Sequence, residues 1–329
     1  MHKVKVIDEQ WDYLIILDAC RYDYFEQVWR DYLQGSLEKR ISIGSSTPEW
    51  RSKSFTGYYG DVIYISSNPY INSLLPVKGF SAKDHFCRIY DVWHDGWDKE
   101  KQTVLPETVT YRAIDIIKNQ PDKRAVIHYM QPHEPYLGEA VKDLSWHNPE
   151  PLAKRILSKM DERQPRASFT DKIMRMLADI FYKMGLRGHL SLWRVRKFLK
   201  MPPMSHMDAV RRKYGKEGLR RAYKENLEIA LKHVAKLVEA LSGRIVVTAD
   251  HGEVLGEGGC YCHWDGSSDK FLLEVPWLVI DKGNRITGPV DKASEEEQKG
   301  RVMVPGVEEV EEETKREIRE KLRTLGYID

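Results

Sequence analysis

The sequence predicts an α/β protein with a mostly parallel central sheet and helices on both faces, and three observations predict it. Short, dense, β-branched and aromatic runs recur along the chain, Trp11-Asp-Tyr-Leu-Ile-Ile-Leu17 and Arg244-Ile-Val-Val247 among them. Segments with apolar residues at helical spacing alternate with these runs, which is the pattern of parallel strands joined by crossover helices. Finally, Asp18, His133, Asp250 and His251 all stand where strands run out. In open sheets of this kind, ligands bind beyond the carboxyl ends of the strands.

The elements follow in order. The run ending at Leu17 is a buried strand, and a helix follows over about Tyr22 to Leu33. Arg40-Ile-Ser-Ile43 and Val62-Ile-Tyr-Ile65 are further short strands, the second closed by the turn signal Ser66-Ser-Asn-Pro69. From Pro106 to Lys118, the spacing of Val109, Ile114, Ile116 and Ile117 gives an amphipathic helix with proline in its first turn. Ala125 to Tyr129 is a strand that ends at Gln131-Pro-His133. Residues 207–241 carry Leu219, Ala222, Leu227, Ala230, Leu231, Val234, Leu237 and Leu241 at helical spacing, and Gly243 stops that helix before the strand at 244–248. Phe271 to Ile280 is the last strand, entered through Pro276.

The length of 329 residues fits one large α/β domain over 1–329 with insertions, or two smaller ones; the first is expected. Two regions stand apart. Residues 138–206 are expected to be a basic helical insertion, since 154–200 hold 13 Lys/Arg against 4 Asp/Glu. Residues 295–329 are expected to end in a charged helix with Glu early and Lys/Arg late, the polarity a helix dipole favours. Hydrophobic content of 41% and charged content of 31%, with no apolar run near the roughly eighteen residues of a membrane span, exclude a spanning protein. The N-terminus lacks the apolar core of a signal peptide and the four cysteines are scattered, so a cytoplasmic protein is expected.

The densest chemistry lies in TADHGEVLGEGG, Thr248 to Gly259. Asp250 and His251 offer a carboxylate oxygen and an imidazole nitrogen from one loop, a pair suited to zinc, manganese or a similar divalent ion. Gly252 is expected to allow a tight turn after them, and Glu253 to hold a ligand histidine or cap the next turn. Asp18, a carboxylate at another strand end, offers a third ligand; its other use is as the N-cap of the helix that follows. Gly44-Ser-Ser-Thr-Pro-Glu-Trp50 supplies hydroxyls where a strand turns into a helix. A hydroxyl beside a divalent cation loses its proton near neutral pH, and a helix N-terminus steadies an anion; helix capping is the alternative use.

Together LDACRYD (from Leu17), STPEWRSKSFTG (from Ser46), HYMQPHEPY (from His128), TADHGEVLGEGG and FLLEVPWLVI (from Phe271) resemble the sulfatase-like branch of the alkaline phosphatase superfamily, in order as well as wording. The resemblance covers most of the chain except the basic insertion. It implies an alkaline phosphatase-like fold and a metal-dependent hydrolase or transferase. It implies that Asp18, Asp250 and His251 bind metal and that the nucleophile lies in Ser46-Thr47. The family's nucleophile-x-Pro selects Ser46, while its Thr-Gly pair, here Thr56-Gly57, selects Thr47; the gapless match makes Thr47 the first choice. Sulfatases of the family carry Cys/Ser-x-Pro-x-Arg, whose Cys or Ser becomes formylglycine. Here no cysteine is present there and Trp50 fills the Arg position counted from Ser46, which weighs against sulfate esters and leaves a sulfatase as the alternative.

GEGGCYCHWDG, Gly256 to Gly266, is similar to a stretch of phosphoethanolamine transferases. The similarity implies that His263 sits at the phosphoryl group, with His133 as a second phosphate-facing histidine. Arg21 is read apart from it as a helix-surface residue first and a contact for a phosphate oxygen second. The expected substrate is thus a phosphate mono- or diester, processed through a covalent phospho-Thr/Ser intermediate. One divalent ion is expected rather than two, zinc or manganese ahead of calcium or magnesium, because no further carboxylate is evident beside His133 and His263. A non-catalytic binding module on the same fold is the third reading. The basic 154–200 segment is read as a lid, a surface for an anionic partner or an ordinary solvated helical excursion, and peripheral contact with a membrane or a lipid-linked substrate is one hypothesis. Nucleic acid is not expected, since its aromatic residues follow helical spacing rather than forming a stacking platform.

Overall fold

The computed structural model describes residues 3–144, 202–203, 205–283, 316 and 318–320. The expected basic insertion and charged tail therefore lie almost wholly outside the described residues. The strands are β1 (Lys3–Val4), β2 (Tyr13–Leu17), β3 (Ser36–Ser42), β4 (Tyr59–Ser66), β5 (Phe86–Tyr90), β6 (Trp97–Asp98), β7 (Thr103–Val104), β8 (Arg124–Tyr129), β9 (Arg244–Thr248), β10 (Val254–Leu255), β11 (Tyr261–Cys262) and β12 (Glu274–Asp281). The helices are α1 (Tyr22–Val28), α2 (Thr47–Ser54), α3 (Val92–Asp95), α4 (Pro106–Lys118), α5 (His206–Ala240) and α6 (Lys270–Leu273).

Eight strands form the central sheet in the order β1-β3-β12-β9-β2-β8-β4-β5. β12 runs antiparallel to both neighbours, and every other pairing in the sheet is parallel. The sheet is thus mostly parallel, as expected. Alternate residues of β2 serve opposite faces. Tyr13, Ile15 and Leu17 pack with Phe25 and Val28 of α1, Val109 and Ala113 of α4, and Leu227, Leu231 and Val234 of α5. Leu14 and Ile16 pack with Trp50 and Phe55, at and beyond α2, on the other face. Each such buried side chain contributes about 1.5–3 kcal/mol, so packing on both faces holds the center of the sheet firmly. Ile318, from the C-terminal segment, is also buried in the first of these clusters.

Three expectations are corrected. The helix after Leu17 ends at Val28 and tightens into a 3-10 turn at Trp29–Asp31 rather than running to Leu33. Phe271 to Leu273 belong to α6, because the Asp269 side chain accepts from Phe271 N and caps a helical turn; the strand begins only at Glu274. The long helix breaks at Gly215, whose φ of 73° is left-handed backbone that glycine adopts at low cost. The edge strand β5 has no counterpart in the sequence reading, since Cys87 and Arg88 interrupt its apolar run.

Since β2, β3, β4, β8 and β9 all point the same way, their carboxyl ends open onto one edge of the sheet. Every chemically interesting segment of the sequence leaves from that edge.

Candidate metal and phosphate site

Asp18 leaves β2 directly, and the next residue, Ala19, has a φ of 57°. A non-glycine residue there costs about 1–2 kcal/mol, so other contacts must hold the turn. Ala19 N donates to Asp250 Oδ1 at 3.1 Å, and the Tyr223 hydroxyl of α5 donates to the Ala19 carbonyl at 2.7 Å while accepting from Arg21 N at 2.9 Å. Asp250 follows β9 and is fully buried. Its Oδ1 also accepts from His251 N, and its Oδ2 accepts from the Thr47 hydroxyl at 2.7 Å.

His251 Nδ1 lies 2.7 Å from the Gly252 carbonyl. A carbonyl only accepts, so the proton sits on Nδ1 and Nε2 presents its lone pair. That nitrogen is 3.4 Å from Asp250 Oδ2, 3.4 Å from Thr47 Oγ1 and 3.7 Å from Asp18 Oδ1. One ligand atom from each of Asp18, Asp250 and His251 lies within 4.8 Å of the other two.

The electrostatics of this trio call for a cation. Asp18 Oδ1 is buried without a hydrogen-bond partner. Burial first, and the neighboring Asp250 second, raise the Asp18 pKa well above the usual carboxylate range. Burial also drives the His251 pKa well down, which keeps Nε2 free of a proton. Two adjacent buried carboxylates are unfavorable alone, and a divalent ion would pair with both. The residues therefore fit a divalent metal, and their mixed oxygen and nitrogen donors suit zinc or manganese.

The nucleophile segment separates its two hydroxyls. Ser46 is the N-cap of α2; its Oγ accepts from Glu49 N at 3.3 Å and donates to Asp265. Thr47, one residue on, opens the helix and turns its Oγ1 to Asp250 and His251. Gly252 corrects another expectation. Its backbone does not lie in the left-handed region; a Cβ there would meet the Phe271 carbonyl at 2.2 Å, so the glycine permits close approach of α6.

A second group of donors adjoins the first. His133 Nδ1 is 2.7 Å from the Glu134 carbonyl, which again places the proton on Nδ1. His263 follows the β10–β11 hairpin, and its Nδ1 is 3.1 Å from Glu253 Oε1. The His263 ring lies 4.3 Å from that of His251 and 5.4 Å from that of His133. His133, Glu253 and His263 form a second trio with ligand atoms within 4.8 Å. The carboxylate that the sequence reading did not find beside the two histidines is thus Glu253, so donors for a second ion are at hand. Burial would lower the His263 pKa, but Glu253 overcomes it and raises it; burial and the nearby His263 lower that of His133.

Arg21 is neither a surface residue nor part of these groups. It is buried, its guanidinium pairs with Asp23 at 2.6 Å and Glu257 at 2.8 Å, and it also donates to the Glu253 carbonyl. Its donors brace the DHGE loop instead of facing the donor trios. Among the described residues, neither Cys260 nor Cys262 joins a metal-capable group.

Three contributors escaped sequence reasoning. Asn68 donates to Asp18 Oδ2 from the turn after β4, and its place at a strand end was the signal available. His128 sits inside β8, 2.8 Å from the Tyr64 hydroxyl through Nδ1, with Nε2 3.9 Å from Asp18 Oδ2. Tyr223 arrives from α5, about two hundred residues away in sequence, and nothing local to it points to Asp18.

Burial lowers the pKa of both His128 and His206 to about 4. The folded state keeps these rings neutral while the unfolded chain takes up protons below about 6.5. Their contribution to stability is therefore full above about pH 6.5 and lost as pH falls toward 4. In urea titrations, His206→Gln is expected to narrow the wild type's loss of stability between pH 6.5 and 4; an unchanged pH slope refutes this account.

No curated protein matches the chain. Among solved structures, the chain is similar to the periplasmic domain of the phosphoethanolamine transferase EptC from Campylobacter jejuni, at 12% identity over 82% of this chain and 78% of that one, with a TM-score of 0.43. It is also similar to the integral membrane phosphoethanolamine transferase EptA from Neisseria meningitidis, at 13% identity and a TM-score of 0.45, over 84% of this chain but only 50% of that one. A third is the phosphonate monoester hydrolase SpPMH from Silicibacter pomeroyi, at 16% identity over 82% of this chain and 67% of that one, with a TM-score of 0.37. The model of the Sulfatase family matches residues 54–298, well over half of the sequence, and the chain belongs to that family.

Proposed function

We propose that the chain is a metal-dependent transferase or hydrolase of phosphate esters that works through a covalent intermediate on Thr47. The observation that carries this reading is the Thr47 hydroxyl, bonded to Asp250 Oδ2 at 2.7 Å within the Asp18, Asp250 and His251 group. Asp18, Asp250, His251 and Thr47 would hold the ion. When bound, a divalent ion lowers the pKa of a neighboring hydroxyl and neutralizes charge on phosphoryl oxygens.

The first turn of α2 fixes Thr47 Oγ1 for attack on phosphorus. The Thr47 proton passes by way of Asp250 Oδ2 to solvent, a bond forms from Oγ1 to phosphorus, and the bond to the leaving alcohol breaks. His263, kept basic by Glu253, supplies a proton to the phosphoryl or leaving oxygen, and His133 lines the same face. Water or an acceptor hydroxyl then attacks the phospho-threonine and restores Thr47. The reaction is assigned to a single α/β domain in the cytoplasm, and the 154–200 segment to contact with an anionic substrate or lipid surface.

The test is turnover of p-nitrophenyl phosphate, bis-p-nitrophenyl phosphate and p-nitrophenyl sulfate with manganese or zinc added. Turnover of a phosphate ester is expected. Turnover of the sulfate alone overturns the reading in favor of a sulfatase, and no turnover of any ester favors a binding module.

A further inference from the structure

The loop that follows His263 is tied to the start of α2 by a compact set of bonds that the reaction itself does not use. Glu49, on the first turn of α2, accepts at Oε2 from Ser45 N at 2.9 Å, from Ser45 Oγ at 2.7 Å and from Gly266 N at 3.0 Å. Lys53, one turn later, pairs with its other oxygen. Ser45 Oγ is also 2.8 Å from the Trp264 carbonyl and accepts from Ser267 N at 3.0 Å. Ser46 adds the bond to Asp265.

The sequence Ser46-Thr-Pro-Glu49 spells a capping box, in which the glutamate would return to the N-cap amide. Here the glutamate reaches one residue further back and across to the second loop. One carboxylate thus joins the segment that carries Thr47 to the segment that carries His263. Between these two lies His251, 3.4 Å from Thr47 Oγ1 and 4.3 Å, ring to ring, from His263.

We propose that Glu49 is a positioning residue, which sets the spacing between the Thr47 hydroxyl and the His263 imidazole so that both address the same phosphoryl group. It touches neither donor trio; it acts through the backbone of residues 264–267. This rests on the proposed phosphate chemistry for its catalytic consequence, but the latch itself does not. The metal-binding residues are carried by β2, β9 and Thr47, so loss of the latch leaves them in place while His263 drifts. A displacement of about 1 Å at a reacting group can cost about 10²-fold in rate.

The experiment pairs Glu49→Ala and Glu49→Gln with His263→Ala and the corresponding double variants. Without substrate, amide hydrogen exchange in Glu49→Ala is expected to quicken across 264–267 and to stay unchanged through Asp18–Cys20 and Asp250–Gly252; unaltered exchange at 264–267 overturns the latch. Manganese or zinc affinity by calorimetry is expected to stay within about twofold of the wild type, and a parallel loss of affinity overturns the assignment to His263 spacing. With a phosphate ester, Glu49→Ala is expected to lower kcat by about 10²-fold and to add almost nothing in the His263→Ala background. Equal losses in both backgrounds refute the proposal. Glu49→Gln, which keeps one acceptor oxygen, is expected to recover part of the rate. If the wild type turns over no ester with either metal, the phosphate chemistry falls, while the exchange and calorimetry results still decide the latch.

Discussion

Thr47→Ala is expected to lower phosphate-ester turnover by at least about four orders of magnitude, because a nucleophile that forms the covalent intermediate has no substitute in the same position. Ser46→Ala is expected to cost less than about tenfold. The two residues are adjacent and both carry hydroxyls, yet the structure gives them different work. The Thr47 hydroxyl points at Asp250 and His251, whereas that of Ser46 caps α2 and reaches Asp265. Loss of an N-cap is worth about 1 kcal/mol, which bears on stability more than on rate. Trapping the intermediate by acid quench, followed by mass spectrometry of the peptide holding both residues, should place the phosphoryl group on Thr47. A phosphoryl group on Ser46, or an active Thr47→Ala enzyme, refutes the assignment.

The second large effect concerns the metal. Asp18 and Asp250 are both buried, Asp18 Oδ1 has no hydrogen-bond partner, and Asp250 is among the causes that raise the Asp18 pKa. Without a cation, this pair opposes folding; with one, it becomes the reason for binding. Manganese or zinc at about one hundred times its Kd is expected to add about 2.7 kcal/mol to the free energy of unfolding. Asp18→Asn is expected to abolish that gain and yet to make the metal-free protein more stable, on the order of 1 kcal/mol, since an isosteric neutral group removes the like-charge repulsion and can still accept from Asn68. Thermal unfolding with chelator and with metal measures both effects. A metal-free variant less stable than the wild type, or one with its metal response intact, sinks this account.

Much of the site was legible because its chemistry sits at strand ends. Buried β-branched runs mark β2, β8 and β9 in the sequence, and the residue after each run is where a parallel sheet opens. Asp18, Asp250, His251 and His133 were found in that way, and the family resemblance joined Thr47, Ser46 and His263 to them. His128 was not found as a contributor, because a histidine within an apolar strand reads locally as core; only the pairing of β8 with β2 brings its Nε2 near Asp18. Arg21 failed for the opposite reason. It was the weaker candidate for a phosphate oxygen, but Asp23 and Glu257 claim its guanidinium.

The sequence alone determined the main sheet strands β2, β4, β8 and β9, the two long helices, the mostly parallel sheet and the carboxylates and histidines at strand ends, since these depend on hydrophobic period and local turn chemistry. The tertiary structure decided which of two neighboring hydroxyls meets Asp250, how Glu253 joins His133 and His263, and how Glu49 binds one loop to another. Most of those are contacts between segments more than two hundred residues apart, and no local pattern encodes the direction in which a side chain must point to make them.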